Sequence, residues 1–382
     1  MTRPGLHAIE ADHVFDGSVV RERTAVIIEG MRIVDLVPLA DLPRNIATRK
    51  LPEGTWLAPG FIDLQVNGGG DVLFNDDPSV ESIRTIAAAH RKFGTTALLP
   101  TLISDSMEKM RSALEAADAA FDSEAGVLGV HLEGPYLSSE KPGVHDPRQI
   151  RRPSAHELEM LTAPCKGALL VTLAPEVVPP GFIEQLVTAG ARVALGHSMA
   201  SYQQTRAAMT EGLSGFTHLF NAMRPLASRE PGPIAQALDS PHASYGIIVD
   251  GAHVDPAMLR LVLRGRGRPM LVTDAMPPVG GNRPVFRLHG ETISVRDGCC
   301  RTSEGTLAGT VLDMAAAVRN CVRLLGVSLP DALRFASTHP AAFLGLEHRL
   351  GKLARGYRAD LVALEPHDVK VLATWVAGSG EH

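Results

Sequence analysis

Apolar and polar residues alternate with period two over 8–17 and again over 24–30, and Gly17 and Gly30 close the two runs as turns. This is the pattern of half-buried strands. The far end of the chain repeats it over 360–364 and 369–378. Between the ends the pattern changes. Short, nearly continuous apolar runs at 60–66, 95–100, 127–132, 169–174, 192–196, 215–217, 245–249 and 269–273 alternate with stretches of period near 3.6. Val80, Ile83, Ile86 and Ala87 form one such helical face. Apolar runs without alternation fit strands covered on both faces, and their regular spacing between helices predicts a parallel α/β sheet. Eight of them predict a (β/α)8 barrel of the TIM type. Two further helices are expected near 311–325 and 329–337. The expected organisation is a small β-sandwich domain from 1–56 plus 348–382, and a barrel over 57–347.

Barrel enzymes carry their chemistry at the C-terminal ends of the strands. The first run ends in Gln65 and Asn67, and the third in Glu133, after His131. The fifth ends in His197, the sixth in His218, the seventh in Asp250 with His253 just beyond, and the eighth in Asp274. Taken singly, each has an ordinary reading. Glu133 could cap the turn at Gly134-Pro135, and a lone histidine usually packs or faces solvent. Taken together they converge on one face of a closed barrel. Two imidazoles and a carboxylate can hold a divalent metal and leave positions open. A carboxylate at Asp274 can take and return a proton. A helix cap is the competing role for Asp274, and Pro277-Pro278 disfavours a helix there.

Composition narrows the class. With 45% hydrophobic residues in 382, the chain can bury a large core. The net charge of −5 without a basic stripe argues against a nucleic-acid partner. Cys165, Cys299, Cys300 and Cys321 form no C-x-x-C pair, so a reducing compartment without a disulfide framework is expected. Residues 1–17 contain no apolar core of a signal peptide, and no run is long enough to span a bilayer. A soluble cytoplasmic protein with no membrane partner is expected.

The residues around Glu133, His131-Leu132-Glu133-Gly134-Pro135-Tyr136, are more specific. So are Leu195-Gly196-His197-Ser198, Thr217-His218-Leu219-Phe220-Asn221-Ala222-Met223, Arg229-Glu230-Pro231-Gly232 and Val272-Thr273-Asp274-Ala275. With Gly60-Phe61-Ile62-Asp63 and Ala359-Asp360-Leu361, which mark only the superfamily, the chain resembles the N-acetylglucosamine-6-phosphate deacetylases of the amidohydrolase superfamily along nearly its whole length. The resemblance implies hydrolytic removal of an acetyl group from an amino-sugar phosphate. It implies Glu133, His197 and His218 as ligands of one divalent metal per subunit, Asp274 as catalytic acid/base, and His145 as the group that polarises the acetyl carbonyl. Asn221, Ala222 (through its backbone N–H), Leu307, Ala308 and Gly309 are implied as substrate contacts. Arg229 and His253 are implied as the phosphate grip, shared across the interface of a homodimer.

The chain departs from the wider superfamily at the first strand, where Gln65-Val66-Asn67 replaces H-x-H. Amides are poor ligands for transition metals, so any second ion there is expected to be weak. No lysine follows the fourth run, where Ala174-Pro175-Glu176 stands, so a carboxylated-lysine bridge is absent. Both features oppose a cyclic-amide hydrolase. The full ligand set with Asp274 opposes a non-catalytic sugar-phosphate sensor. Zinc and ferrous iron both suit the donors, and the glucosamine and galactosamine epimers remain open at this level.

Overall fold

The computed structural model describes residues 5–381, so residues 1–4 of the expected β domain, and His382, lie outside it. Eight parallel strands follow one another around a barrel: Phe61–Val66, Thr95–Ile103, Gly129–Glu133, Ala168–Leu173, Arg192–Leu195, Gly215–Phe216, Ser244–Ile247 and Arg268–Leu271. Each lies within one of the eight apolar runs or overlaps it, because these residues are covered by side chains inside the barrel and by helices outside it. The helix Val80–Arg91 buries Ile83, Ile86 and Ala87 and begins at Ser79, whose hydroxyl accepts from the Ser82 N–H. Helices Ala155–Thr162 and Tyr202–Thr210 open with reciprocal caps, Ser154 with Glu157 and Ser201 with Gln204.

Strands from both chain ends form one mixed sheet. Leu6–Phe15 is central, pairing with Val20–Glu29, Ala47–Lys50 and Trp56–Pro59. Leu361–Glu365 and Lys370–Val376 then extend it from Trp56–Pro59. A separate apolar core lies here, with Ile9, Val26, Leu57, Leu361 and Trp375. Among the described residues no helix is long and apolar enough to cross a membrane. The four cysteines are free.

Three elements exceed the sequence expectation. A four-stranded antiparallel sheet, Val285–Leu288, Glu291–Arg296, Cys299–Arg301 and Leu307–Thr310, is inserted after the eighth strand. Its strands carry Arg287, Glu291, Arg296 and Arg301, and only a thin apolar face of Leu288, Ile293, Cys300 and Ala308 is buried, so the periodicity is diluted. A short hairpin, Gly68–Gly69 with Val72–Leu73, follows the first strand. A third terminal helix, Thr338–Leu344, follows Met314–Leu325 and Leu329–Ala336.

The first and eighth strands meet without a regular ladder. Their seam is closed by the bridge of Val66 with Ala275, by backbone bonds from the Asp274 N–H to Gln65 O and from the Asn67 and Gly68 N–H groups to Ala275 O, and by the buried carboxylate of Asp63. Asp63 Oδ1 accepts from the Gln65 and Thr273 N–H groups at 3.2 and 3.3 Å, and Oδ2 accepts from the Thr273 hydroxyl at 2.6 Å. Burial pushes its carboxyl up to about 7 against these hydrogen bonds. Asp63→Ala would strand two buried N–H donors, each costing about 1–3 kcal/mol when unsatisfied, and leave the Thr273 hydroxyl only its longer contact of 3.3 Å with Gln65 O. Urea denaturation should show a loss of roughly 3 kcal/mol or more, with a smaller loss for Asp63→Asn, which keeps an acceptor. Equal, small losses in both variants would show that the seam does not depend on Asp63.

Candidate active site

Glu133 is the last residue of the third strand, and His197 and His218 stand two residues beyond the fifth and sixth. At His197, His218 and Asp274 the backbone has positive φ of 48°, 29° and 52°. Such conformations cost ordinary residues about 1–3 kcal/mol. They turn the chain sharply at the residues whose side chains line the barrel mouth.

One oxygen of Glu133, Oε1, lies 3.2 Å from His197 Nε2 and 2.9 Å from His218 Nε2, and the two nitrogens are 3.1 Å apart. Tetrahedral ligands bound at about 2.0–2.1 Å are separated by roughly 3.3 Å. The three donors are therefore spaced for one small cation. His197 Nδ1 lies 2.8 Å from the Lys141 carbonyl, to which it can only donate, so its Nε2 is left with a lone pair. All three residues are buried. Burial raises the Glu133 carboxyl, but the two imidazoles outweigh it and hold it well below the usual range. Among the described residues this is the one group of three such side chains whose ligand atoms lie within 4.8 Å of one another, and it is fit to hold a divalent metal ion.

The other oxygen of Glu133, Oε2, accepts from Gln65 Nε2 at 3.1 Å. Gln65 Nε2 also reaches Asp274 Oδ1 at 3.2 Å, and Asn67 Nδ2 donates to that same oxygen at 2.6 Å. The two amides thus separate two buried carboxylates. Burial, then repulsion from Glu133, pushes the Asp274 carboxyl up to about 6, while His218, His253 and Asn67 oppose the rise. The Asp274 backbone is gripped on both sides, its N–H by Gln65 O and its carbonyl by Thr310 N–H, each at 3.0 Å.

His145 is buried, with its ring 4.4 Å from that of His197. The Ser104 N–H donates to His145 Nδ1 at 3.2 Å, and the Ser104 hydroxyl lies 2.8 Å from the same atom. Nδ1 is therefore an acceptor, and the ring proton sits on Nε2. Burial holds the ring well below its ordinary pKa, with the neighbouring His197 adding to the effect, so the neutral form dominates.

A cavity of about 230 Å3 is bounded by Glu133, His197, His218, Asp274, His145 and Asn67. Asn221, Ala222, His253, Leu307 and Gly309 also line it. Asn221 Nδ2 donates to the His218 carbonyl, and the Ala222 N–H has no partner among the described residues. Two expected contacts are not brought here within one chain. Ala308 is buried in the apolar face of the inserted sheet, and Arg229 is exposed outside the cavity. The alternative ion pair of Arg229 with Glu230 does not form, and Glu230 Oε1 accepts from the Tyr202 and Gly232 N–H groups.

Some contributors were not legible in the sequence. Ile103, Val144, Met276 and Thr306 complete the wall. Ser104 and the Lys141 carbonyl set the two histidine tautomers. Glu176 accepts from the Ser198 hydroxyl at 2.7 Å and braces the loop that carries His197. The Ser104 N–H and the Lys141 carbonyl are backbone groups, which leave no side-chain signal.

A model of the amidohydrolase family matches residues 56–380. The N-acetylgalactosamine-6-phosphate deacetylase of Shewanella sp. (strain ANA-3) is 44% identical over 86% of this chain and 84% of its own length. The N-acetylglucosamine-6-phosphate deacetylase of Haemophilus influenzae is 36% identical over 93% of each chain. Among solved structures, that of N-acetylglucosamine-6-phosphate deacetylase from Pasteurella multocida superposes with a TM-score of 0.95 at 37% identity, covering 98% of this chain and 99% of its own. A mutant of the Mycobacterium smegmatis enzyme, in complex with N-acetyl-D-glucosamine-6-phosphate, superposes with a TM-score of 0.89 at 34% identity, covering 98% and 99%. Likeness of this extent, with the same barrel, leaves one conclusion: the chain belongs to the amidohydrolase family, in its branch of N-acylhexosamine-6-phosphate deacetylases.

Proposed function

We propose that the chain hydrolyses N-acetyl-D-glucosamine 6-phosphate to D-glucosamine 6-phosphate and acetate. The observation that carries this reading is the convergence of Glu133, His197, His218 and Asp274 on one cavity of about 230 Å3. Glu133, His197 and His218 would hold one zinc or ferrous ion per subunit. When bound, such an ion supplies Lewis-acid polarisation of water and of a carbonyl oxygen. Asp274 takes the proton of the attacking water and returns it to the nitrogen as the C–N bond breaks. A carboxyl near 6 is poised for both halves of that task. Gln65 and Asn67 fix its orientation through their N–H groups. His145 donates its Nε2 proton to the acetyl oxygen, where negative charge develops. Asn221, the Ala222 N–H, Leu307 and Gly309 contact the sugar, while Ala308 contributes packing only.

The phosphate is taken by His253 and by Arg229, the latter reaching from the neighbouring subunit of a homodimer. In support, Arg229 is exposed with no side-chain partner among the described residues, and Leu226 nearby is also exposed, at 46%. A second reading is the galactosamine epimer, favoured by the relative at 44% identity that is named for it. Measuring kcat/KM on the two epimers chooses between them. Acetate release from either excludes a non-catalytic sensor.

Glu133→Gln removes the anionic ligand, so metal content by elemental analysis and turnover should fall together. Full metal content in that variant would move the site elsewhere. Asp274→Asn should retain metal and KM while kcat drops by about two to four orders of magnitude. In the wild type, protonation of Asp274 removes the base, so kcat should fall on the acid side with a midpoint at or below about 6, since a bound cation favours the anion. An Asp274→Asn sample that holds metal and turns over near the wild-type rate would exclude this base. Arg229→Ala should lower kcat/KM roughly tenfold to a thousandfold on the phosphorylated sugar, and far less on N-acetylglucosamine. Mixing Arg229→Ala with Asp274→Asn chains should restore activity in hybrid dimers. Confirmed hybrids without recovery would mean that each site is built within one chain.

A further inference from the structure

His253 stands six residues beyond the seventh strand, Ser244–Ile247, and lines the cavity beside Asp274 and Asn221. Its ring is not alone. Nδ1 lies 2.6 Å from Oδ2 of Asp250, and the two side chains are only 6% and 9% exposed. The other oxygen of Asp250 accepts from the Ala252 and His253 N–H groups at 2.8 and 2.9 Å. The same carboxylate therefore shapes the turn that presents His253 and holds its ring.

The donor count follows from this geometry. A carboxylate can only accept, so Nδ1 must carry a proton. If Nε2 then donates to an anion in the cavity, the ring carries two protons and a positive charge. The buried carboxylate compensates that charge, which an isolated buried imidazolium would lack. Burial pulls the Asp250 carboxyl upward, but His253 and the two turn N–H groups outweigh it and keep it anionic. The remaining ionisable groups that act on the pair are Asp274, which His253 favours as an anion, and the Cys299 thiol.

We propose that Asp250 is a positioning residue that holds His253 as a charged, two-donor ring for the phosphate group of the substrate. This rests on the reading that the substrate carries a phosphate. Asp250 touches neither the sugar nor the reacting atoms. It acts through His253, and it lets one imidazole offer both charge and direction to an anion.

Asp250→Asn separates the two jobs of the carboxylate. The Asn oxygen still accepts from the two turn N–H groups, while its NH2 now faces Nδ1 and donates to it. The ring becomes neutral, with its proton on Nε2. The experiment compares N-acetylglucosamine 6-phosphate with N-acetylglucosamine on the metal-loaded enzyme. Measured about two pH units above the Asp274 carboxyl, where that base is ionised in every variant, Asp250→Asn should raise KM about tenfold for the phosphorylated sugar and less than about twofold for the unphosphorylated one. His253→Gln should narrow the difference in KM between the two sugars at least as much, and the double variant should narrow it no further than His253→Gln alone, because Asp250 works through that ring. Independent, additive losses in the double variant, or equal losses on both sugars, would overturn the inference. A wild-type enzyme that does not distinguish the two sugars would overturn the phosphate reading and this inference with it, whereas intact discrimination in Asp250→Asn would remove only the role of Asp250. If Asp250→Asn does not fold, 15N spectra of the ring in Asp274→Asn enzyme saturated with N-acetylglucosamine 6-phosphate decide the matter. Two protonated ring nitrogens at His253 are expected, and a singly protonated ring would overturn the proposal.

Discussion

The carboxylate of Asp63 sits where the barrel has no regular ladder, between its first and eighth strands, and holds three donors from those strands at once. A parallel barrel closes only if its last strand finds the right register against its first. Here one buried side chain, together with a few backbone bonds around one bridge, imposes that register. The consequence reaches two residues further along each strand. Asp63 fixes Gln65 on one side and Thr273 on the other, and Asp274 follows Thr273 directly. The distance between the Asn67 amide and Asp274 is therefore an outcome of barrel closure.

The same logic organises the charges. Glu133 and Asp274 are both buried, and two anions in one cavity repel. The chain places neutral N–H donors between them, and it turns the Glu133 oxygens in opposite directions, one to the imidazoles and one to Gln65. Burial and Glu133 push the Asp274 carboxyl up to about 6, and the Asn67 dipole fixed against it opposes that rise.

The barrel was legible because strands covered on both faces must be apolar, and because polar residues at their ends have no packing reason to be there. Glu133, His197, His218 and Asp274 stood out in this way. The inserted sheet did not, since its charged outer positions mask a narrow inner face. The tautomers of His145 and His197 were not legible either. They depend on the Ser104 N–H and the Lys141 carbonyl, and every residue has such groups. Left-handed backbone at His197 and His218 was equally hidden, because the positions that take it are histidines and not glycines. Arg229 was read as a site residue from its motif alone, and within one chain it lies exposed, outside the cavity.

Those left-handed turns give the mouth of the barrel a mechanical character. Glu133, His197 and His218 come from three different strands, separated by 64 and 21 residues along the chain, and their donor atoms meet at one point. An ion held there would be a rivet through three staves, closing loops that the unfolded chain would otherwise leave open. The backbone cost at each turn is borne in advance by the fold, so the mouth of the barrel holds strain that relaxing would release. Loss of the ion and loosening of the rim would then be one event, and the cavity that performs the chemistry would also be the joint that keeps the barrel's upper edge in place.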